Sequence, residues 1–326
     1  MRTLHDITFA AAVATCLAAI PYTGLAQAYP TKPIRILLPL SVGSQNDILA
    51  RMIAQKMNEN WRQPVIVDNR PGGVGAIAGG ILVKAAPDGH TLMIHSDGHA
   101  VSAALYAAKL PYDTLRDIAR VSQVASFPTV LVTAPSLGVR SVKHLIALAR
   151  AKPGQLSFGS AGFGGGLHLS GEMFKVTTTI NVVHIPYKGP AEALAETMTG
   201  RIQYMFSAPG PALPLIKEGR LLALAVGSAQ RSPLLPDVPT VAEAALPGFA
   251  YDLWSGLFAP ANTPRPIIDQ INKDVTRIMN LPDIREQLLR QGLVHRPNTP
   301  EEFDRFVRAE VEKLKKVIQI AGIKAE

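Results

Sequence analysis

The sequence predicts an α/β protein of two domains, with parallel-rich sheets covered by helices on both faces. Short apolar runs alternate with helical patterns along most of the chain, and parallel strands joined in this way are buried on both sides. Without an N-terminal leader, the length still suits two domains of ordinary size. Two glycine-rich loops, one in each half, follow apolar runs and precede helical patterns. Ligands on such sheets gather at the carboxyl ends of the strands, where both loops lie.

The first residues read as a leader. Arg2 precedes an apolar run over 7–20, and Ala26-Gln27-Ala28 gives the small-x-small pattern of a signal-peptidase site, so residues 1–28 are expected to be a removed secretory signal. The run is too short and too poorly flanked for a membrane anchor. Cys16, the sole cysteine, lies inside it after Val13-Ala14-Thr15, a poor context for lipidation. A chain cut after Ala28 has no cysteine, which excludes a disulfide framework, a thiolate nucleophile and a cysteine-ligated metal.

Apolar runs at 34–38, 65–67, 91–95, 129–133, 156–158, 182–185, 202–206 and 222–226 predict buried strands, and helical spacing predicts helices over 48–57, 76–86, 142–151, 167–176, 191–198 and 211–218. The C-terminal quarter changes character, with a strand over 253–259 and helices over 265–279, 282–291 and from Pro300 onwards. Thr299-Pro300-Glu301-Glu302 supplies an N-cap, a first-turn proline and a capping-box glutamate. The stripe Phe303, Phe306, Val307, Leu314, Val317 and Ile318 then needs a surface to cover.

Two loops carry the chemistry. Gly159-Ser160-Ala161-Gly162-Phe163-Gly164-Gly165-Gly166 joins a strand to a helix, and Pro39-Leu40-Ser41-Val42-Gly43-Ser44-Gln45-Asn46-Asp47 repeats the construction upstream. The first amides of a helix lack intrahelical partners and stand at its positive end, so each loop forms an anion cup, and two cups on separate halves imply a clamp. Net charge is +8 without a basic run or an aromatic-interleaved patch, which argues for steering of an anionic ligand and against nucleic acid. Gly73-Val74-Gly75-Ala76-Ile77-Ala78 has dinucleotide spacing but starts too far beyond its strand, so it reads as a turn and a helix start. The 159–166 run lacks the Lys-Ser/Thr ending of a P-loop, and no serine elbow or clustered zinc ligands occur. His95 and His99 follow a strand and are placed in a loop, as hydrogen-bonding groups. His168 opens its helix either as a ligand donor or as a partner of nearby backbone. No cofactor is implied, and no catalytic set assembles, which favours a binding protein.

These residues resemble a known family. Tyr29-Pro30-Thr31-Lys32-Pro33-Ile34-Arg35, then Pro39, Gly43, Asp47 and Arg51, then Asn69-Arg70-Pro71-Gly72-Gly73 and Ala86-Pro87-Asp88-Gly89-His90-Thr91-Leu92 are similar to the opening of Bug-type solute receptors. The likeness continues through Gly159-Ser160-Ala161-Gly162 with His168, His184-Ile185-Pro186-Tyr187-Lys188-Gly189, Pro236-Asp237-Val238-Pro239-Thr240 with Glu243, and Trp254-Ser255-Gly256. Such receptors are the extracytoplasmic binding proteins of tripartite tricarboxylate transporters. The resemblance implies a monomeric periplasmic binding protein of the two-lobed type II class, with residues 29–128 and 252–326 in one lobe, 129–251 in the other, and two hinge crossings near 127–128 and 249–252. Its ligand would be a small carboxylate and its partner a membrane permease of the tripartite tricarboxylate type.

Transferred position by position, the resemblance implies a first cup of Ser41, Val42, Gly43 and Ser44 and a second of Ser160, Ala161, Gly162, Gly164 and Gly165, with His168 beside it. Ser96 and His99 would line the first lobe's wall and Ser207 would face the cleft from the second. Asp47 would order its loop, and Lys188 and Trp254 would sit at the rim or hinge. This chain has Gly43-Ser44 where paired glycines are common, Ser207 where an acid is frequent and His90 where a tyrosine is frequent. A missing acid favours a dicarboxylate or aromatic carboxylate over an amino acid. A secreted enzyme on the same scaffold would use His99 or His168, and a receptor feeding a sensor kinase would share every motif.

Overall fold

The computed structural model describes residues 29–324; the expected leader, its cut after Ala28 and Cys16 lie outside the described residues. Two sheets form two lobes. The first lobe opens with β1 (Ile34–Leu38), α1 (Gln45–Trp61), β2 (Val65–Asn69), α2 (Ala76–Leu82), β3 (Thr91–Ser96), α3 (Gly98–Leu105) and β4 (Ile118–Pro128). The second comprises β5 (Val130–Thr133), α4 (Val142–Ala151), β6 (Ser157–Ser160), α5 (Gly166–Thr178), β7 (Val183–Pro186), α6 (Pro190–Met198), β8 (Tyr204–Ser207), α7 (Pro209–Lys217), β9 (Leu222–Val226) and α8 (Val241–Ala244). The chain then returns through β10 (Asp252–Pro260), α9 (Arg265–Met279), α10 (Pro282–Arg290), β11 (Val294–His295) and α11 (Pro300–Ala321).

The strand orders are β11-β4-β10-β3-β1-β2 and β7-β6-β8-β5-β9. Pairings of β1 with β2 and β3, and of β6 with β7 and β8, are parallel, as βαβ units require. The sheets are nevertheless mixed, because β10 runs antiparallel between β3 and β4 and β5 runs antiparallel between β8 and β9. In β5 the side chains alternate across the sheet, with Leu131 packed in one core and Val130 and Val132 in the other, which is how helices cover both faces.

Among the elements that depart from the sequence reading, three matter to the account. β4 is an eleven-residue strand that no apolar run marks, since it buries Arg120, Ser122 and Gln123. Arg120 pairs with Asp304 on α11 at 2.7 Å, and the Gln123 amide donates to the Asn298 side chain at 2.9 Å, so tertiary partners satisfy groups that made the segment look polar. α3 occupies the stretch read as a loop, because it begins on glycine with no side-chain cap to announce it. α2 stops at Leu82, well short of the expected 86.

The chain crosses between the sheets twice, side by side. β4 passes through the buried Thr129 into β5, and the return enters β10 beside it. Gly227 N–H donates to Thr129 O at 2.7 Å, and Tyr251 N–H donates to Gly227 O at 2.8 Å. A side chain at Gly227 would overlap the Thr129 hydroxyl, so this close approach requires glycine. The last helix carries its capping box as expected, and its buried stripe of Phe303, Val307, Val311 and Leu314 covers α3 and β4 of the first lobe.

Phe303 is wholly buried, packed against Phe258 and edge-on to Trp254, and its ring fills the space over Gly256. Phe303→Ala is expected to lower the unfolding free energy by about 3–5 kcal/mol in a denaturant titration. A loss below about 1 kcal/mol would contradict this packing.

Candidate functional site

Six helices begin at one cavity. Its wall includes the starts of α1 (Ser44, Gln45, Asn46), α2 (Gly73, Val74, Ala76) and α3 (Asp97, Gly98) from the first sheet, and of α5 (Gly165, Gly166, Leu167), α6 (Gly189, Pro190) and α7 (Ala208, Pro211) from the second. Each of these helices follows a strand, so the geometry of the βα unit directs all six positive ends inward. The volume is about 610 Å³, within the range of small-molecule sites. Leu40, Val74, Leu110, Phe127, Phe163, Leu167 and Leu253 make much of the wall apolar, and Lys109, Lys188 and Asp97 are its charged side chains.

The six starts differ as donors. α5 has glycine at its cap with no side-chain hydrogen bond, so its first amides have no capping group. α6 begins on Pro190 and gives up one donor, and α7, with Pro209 and Pro211 in its first turn, gives up two. At α3 the Gly98 amide donates to Ser96 Oγ (3.2 Å), and at α1 Ser44 Oγ accepts from the Asp47 amide (3.2 Å).

The first loop is held by Asp47. Its buried carboxylate accepts from Gly43 N–H (3.0 Å), from the Asn69 side chain (2.9 Å) and from Arg51 (3.0 and 3.1 Å). Burial raises its pKa, but the Arg51, Gly43 and Asn69 bonds outweigh that and hold the carboxyl below its ordinary value. The second loop rests on a histidine pair. Gly164 N–H donates to His168 Nδ1 (3.1 Å), His168 stacks on His184 with centroids 3.9 Å apart, and His184 Nε2 meets Ser160 Oγ at 2.7 Å. Ser160 Oγ also donates to Gly162 O (2.8 Å). Burial, helped by His168, pushes His184 down to about 3, so it stays neutral.

The loops of the two sheets touch. The Cβ position at Gly164 lies 3.2 Å from the Tyr106 hydroxyl and 3.3 Å from Val74, and that at Gly189 lies 3.7 Å from Ser41 Oγ. Gly210 faces Gln45 and Gln291 in the same way, so the cavity lies between the lobes.

Of the residues expected at the site, Ser41, Ser44, Ser96, Ala161, Gly162 and Gly165 lie on the cavity wall. Gly43, Ser160, Gly164 and His168 stand behind it and fix the loops through the bonds above. Three are misplaced by the sequence reading. Val42 points outward and is 71% exposed. His99 lies in the first turn of α3, buried on Phe258 with ring centroids 4.1 Å apart, and burial drives its pKa well below the ordinary value. Ser207 turns its hydroxyl to Ala208 O (3.1 Å), and Ala208 faces the cavity in its place. Trp254 is neither rim nor hinge, since it is buried against Phe303 and Phe306 in the first lobe. Lys188 does lie on the wall and is exposed.

The sequence reading missed the wall from Gly72 to Ala76. His95 props that turn from beneath, its Nε2 meeting Val74 O at 3.3 Å, and Gly75, at φ +91°, sits where a side chain would overlap the imidazole. The glycine cluster after β2 was the available signal. Asp97, Tyr106, Phe127 and Tyr187 come to the wall only through the tertiary fold. Among the described residues no group of three or more His, Cys, Asp or Glu is placed to hold a metal. The arrangement offers backbone donors, hydroxyls and apolar surface to an anion with a carbon body, and His99 and His168 are packed away from the chemistry an enzyme would need.

Comparison with known proteins agrees with this architecture. Residues 49–323 match the family model described as the tripartite tricarboxylate transporter family receptor. Protein BugT of Bordetella pertussis is 33% identical over 313 residues, covering 96% of this chain and 95% of its own. A UPF0065 protein of Pseudomonas sp. strain P51, from the tcbD-tcbE intergenic region, is 37% identical over 292 residues, covering 89% and 87%. Among solved structures, R. palustris Rpa4515 with adipate superposes with a TM-score of 0.86 at 33% identity, covering 91% of this chain and 99% of that one. MatC (Rpa3494) from Rhodopseudomonas palustris with bound malate gives 0.82 at 29% identity, covering 89% and 100%.

Asp47→Ala is expected to destabilise the protein by about 1–3 kcal/mol, since it removes charged hydrogen bonds from a buried loop anchor. Because the folded pKa is depressed, the difference from wild type should be full above the unfolded carboxyl value and shrink as pH falls through the folded value. Denaturant titrations of both proteins across the acid range check this, and a pH-independent difference would contradict it.

Proposed function

Because the chain belongs to the tripartite tricarboxylate transporter receptor family, we propose that the cavity between the lobes captures a small carboxylate and that the closed form delivers it to a permease. The protein is a periplasmic solute receptor whose partner is a membrane permease of the tripartite tricarboxylate type. The observation that carries the ligand assignment is the convergence of six helix starts on one cavity, with the uncapped start of α5 foremost. A carboxylate there exchanges water for charge-assisted hydrogen bonds from backbone amides, roughly twice as strong as neutral ones. The apolar wall takes the ligand's carbon body, which favours a dicarboxylate or an aromatic carboxylate. Adipate and malate, bound by the two R. palustris relatives, set the chemical neighbourhood.

The contacts proposed are the amides of Gly165, Gly166 and Leu167, with Ala161, Gly162 and the hydroxyls of Ser41, Ser44 and Ser96. Asp47, Gly43, Ser160 and His168 act behind them. We take residues 29–128 with 252–326 as one lobe and 129–251 as the other, because the sheets divide there. The paired crossings at Thr129 and Tyr251 would then be the hinge, and closure around the ligand the signal the permease reads.

Thermal unfolding of ligand-stripped protein against mono-, di- and tricarboxylates tests the reading. A ligand at a hundred times its Kd adds about 2.7 kcal/mol to the folded state. A selective rise with one carboxylate class is expected, and no rise with any would contradict it. Gly164→Val, at φ +74° and against Tyr106 and Val74, should obstruct closure at a cost of about 1–3 kcal/mol, about 5- to 150-fold in affinity, while the far-ultraviolet spectrum stays native. Unchanged affinity would show that the two loops need not meet.

A further inference from the structure

Asp97 is an acid on the wall of a cavity that receives an anion. It lies between β3 and α3, 3% exposed, at the N-cap position of α3 but without capping it. Tyr251, at the second crossing, donates its hydroxyl to Asp97 Oδ2 at 3.1 Å. The carboxylate reaches across the lobes to the start of α5, where a side chain at Gly166 would overlap it. The uncapped start of α5 and the Asp97 carboxyl are therefore neighbours, and a ligand carboxylate bound there would bring two like charges into a buried site, where both do not stay ionised.

The surrounding groups do not relieve the conflict. From α11, Glu310 adds negative charge at Asp97, while the Lys313 ammonium lies 5.4 Å from the centre of the Tyr251 ring. From β10, Asp252 is exposed and faces the positive charges of Lys313 and Arg296. His95 on β3 is held by burial at about 4, and His99 on α3 well below its ordinary value, so both are neutral near pH 7. On α5, Glu172 is engaged by His168 and Lys175. Lys188 stands exposed on the cavity wall. Burial raises Asp97 to about 7 against the Tyr251 bond, with Glu310 adding to the rise.

We propose that Asp97 is a neutral acid in the occupied receptor, so that capturing a carboxylate takes up one proton from solvent onto this side chain. The inference rests on the receptor reading above. The ligand loses no proton, and solvent supplies the one that Asp97 gains. As a neutral acid the group stops repelling the ligand and offers an O–H where the ionised form has only acceptors. Above its free pKa the empty receptor must gain the proton to bind, so affinity falls as pH rises, by up to about tenfold per unit. Below it the proton is already present and binding is insensitive to pH.

Isothermal titration of ligand-stripped wild type with adipate, malate and benzoate, each in two buffers of different ionisation enthalpy, counts the protons. With benzoate, whose carboxyl is ionised across this range, uptake should be near zero at about pH 5.5, and with all three ligands it should approach one at about pH 8. Asp97→Asn keeps the shape and should bind without uptake and with pH-independent affinity, whereas a purely structural role would leave the count unchanged. Tyr251→Phe removes a bond to Asp97 Oδ2 and should shift the onset of uptake to higher pH. Binding without uptake in wild type, uptake persisting in Asp97→Asn, or an unmoved onset in Tyr251→Phe overturns the inference alone. No binding by any of the three probes overturns the receptor reading with it.

Discussion

Every βα unit around the cavity ends a strand and starts a helix in the same direction, and that constraint governs the rest of the molecule. Three units from each sheet bring their positive ends together, so the space between the lobes is favourable to negative charge before any side chain is counted. Close approach to helix starts explains the glycines in the loops, and backbone donors explain why the wall carries no arginine clamp. The cost is loops with little cohesion of their own. Asp47 with Arg51 and Asn69 supplies it on one side, and the Ser160, His184 and His168 network supplies it on the other.

The two lobes communicate through a narrow region. The crossings lie beside each other, joined through Thr129, Gly227 and Tyr251, and Tyr251 also reaches Asp97 on the cavity wall. The crossings, the cavity wall and the start of α5 thus share one cluster of groups. Returning the chain through β10 into the middle of the first sheet, and clamping α11 over α3 and β4, ties the C-terminal quarter to the N-terminal lobe.

Much of this was legible in the sequence. The alternating elements, the two glycine-rich loops between strand and helix and the capping box at Thr299 follow from local rules, and the ordered motifs point to the receptor family. What was not legible depended on tertiary partners. β4 hid behind Arg120, Ser122 and Gln123, whose polarity is met in part by Asp304 and Asn298 far along the chain. His99 and Trp254 looked like site residues because their types are often functional, but the fold spends both on packing. Asp97 showed no signal, because its meaning lies in its distance from a helix start in the other lobe.

A crystal structure of the protein grown with adipate would decide whether backbone at helix starts holds the ligand. The expected result is a carboxylate within hydrogen-bond distance of the Gly165, Gly166 or Leu167 amides, with its carbon chain against Phe163 and Leu253. A carboxylate held by Lys109 or Lys188 side chains, with the start of α5 left in water, would contradict it.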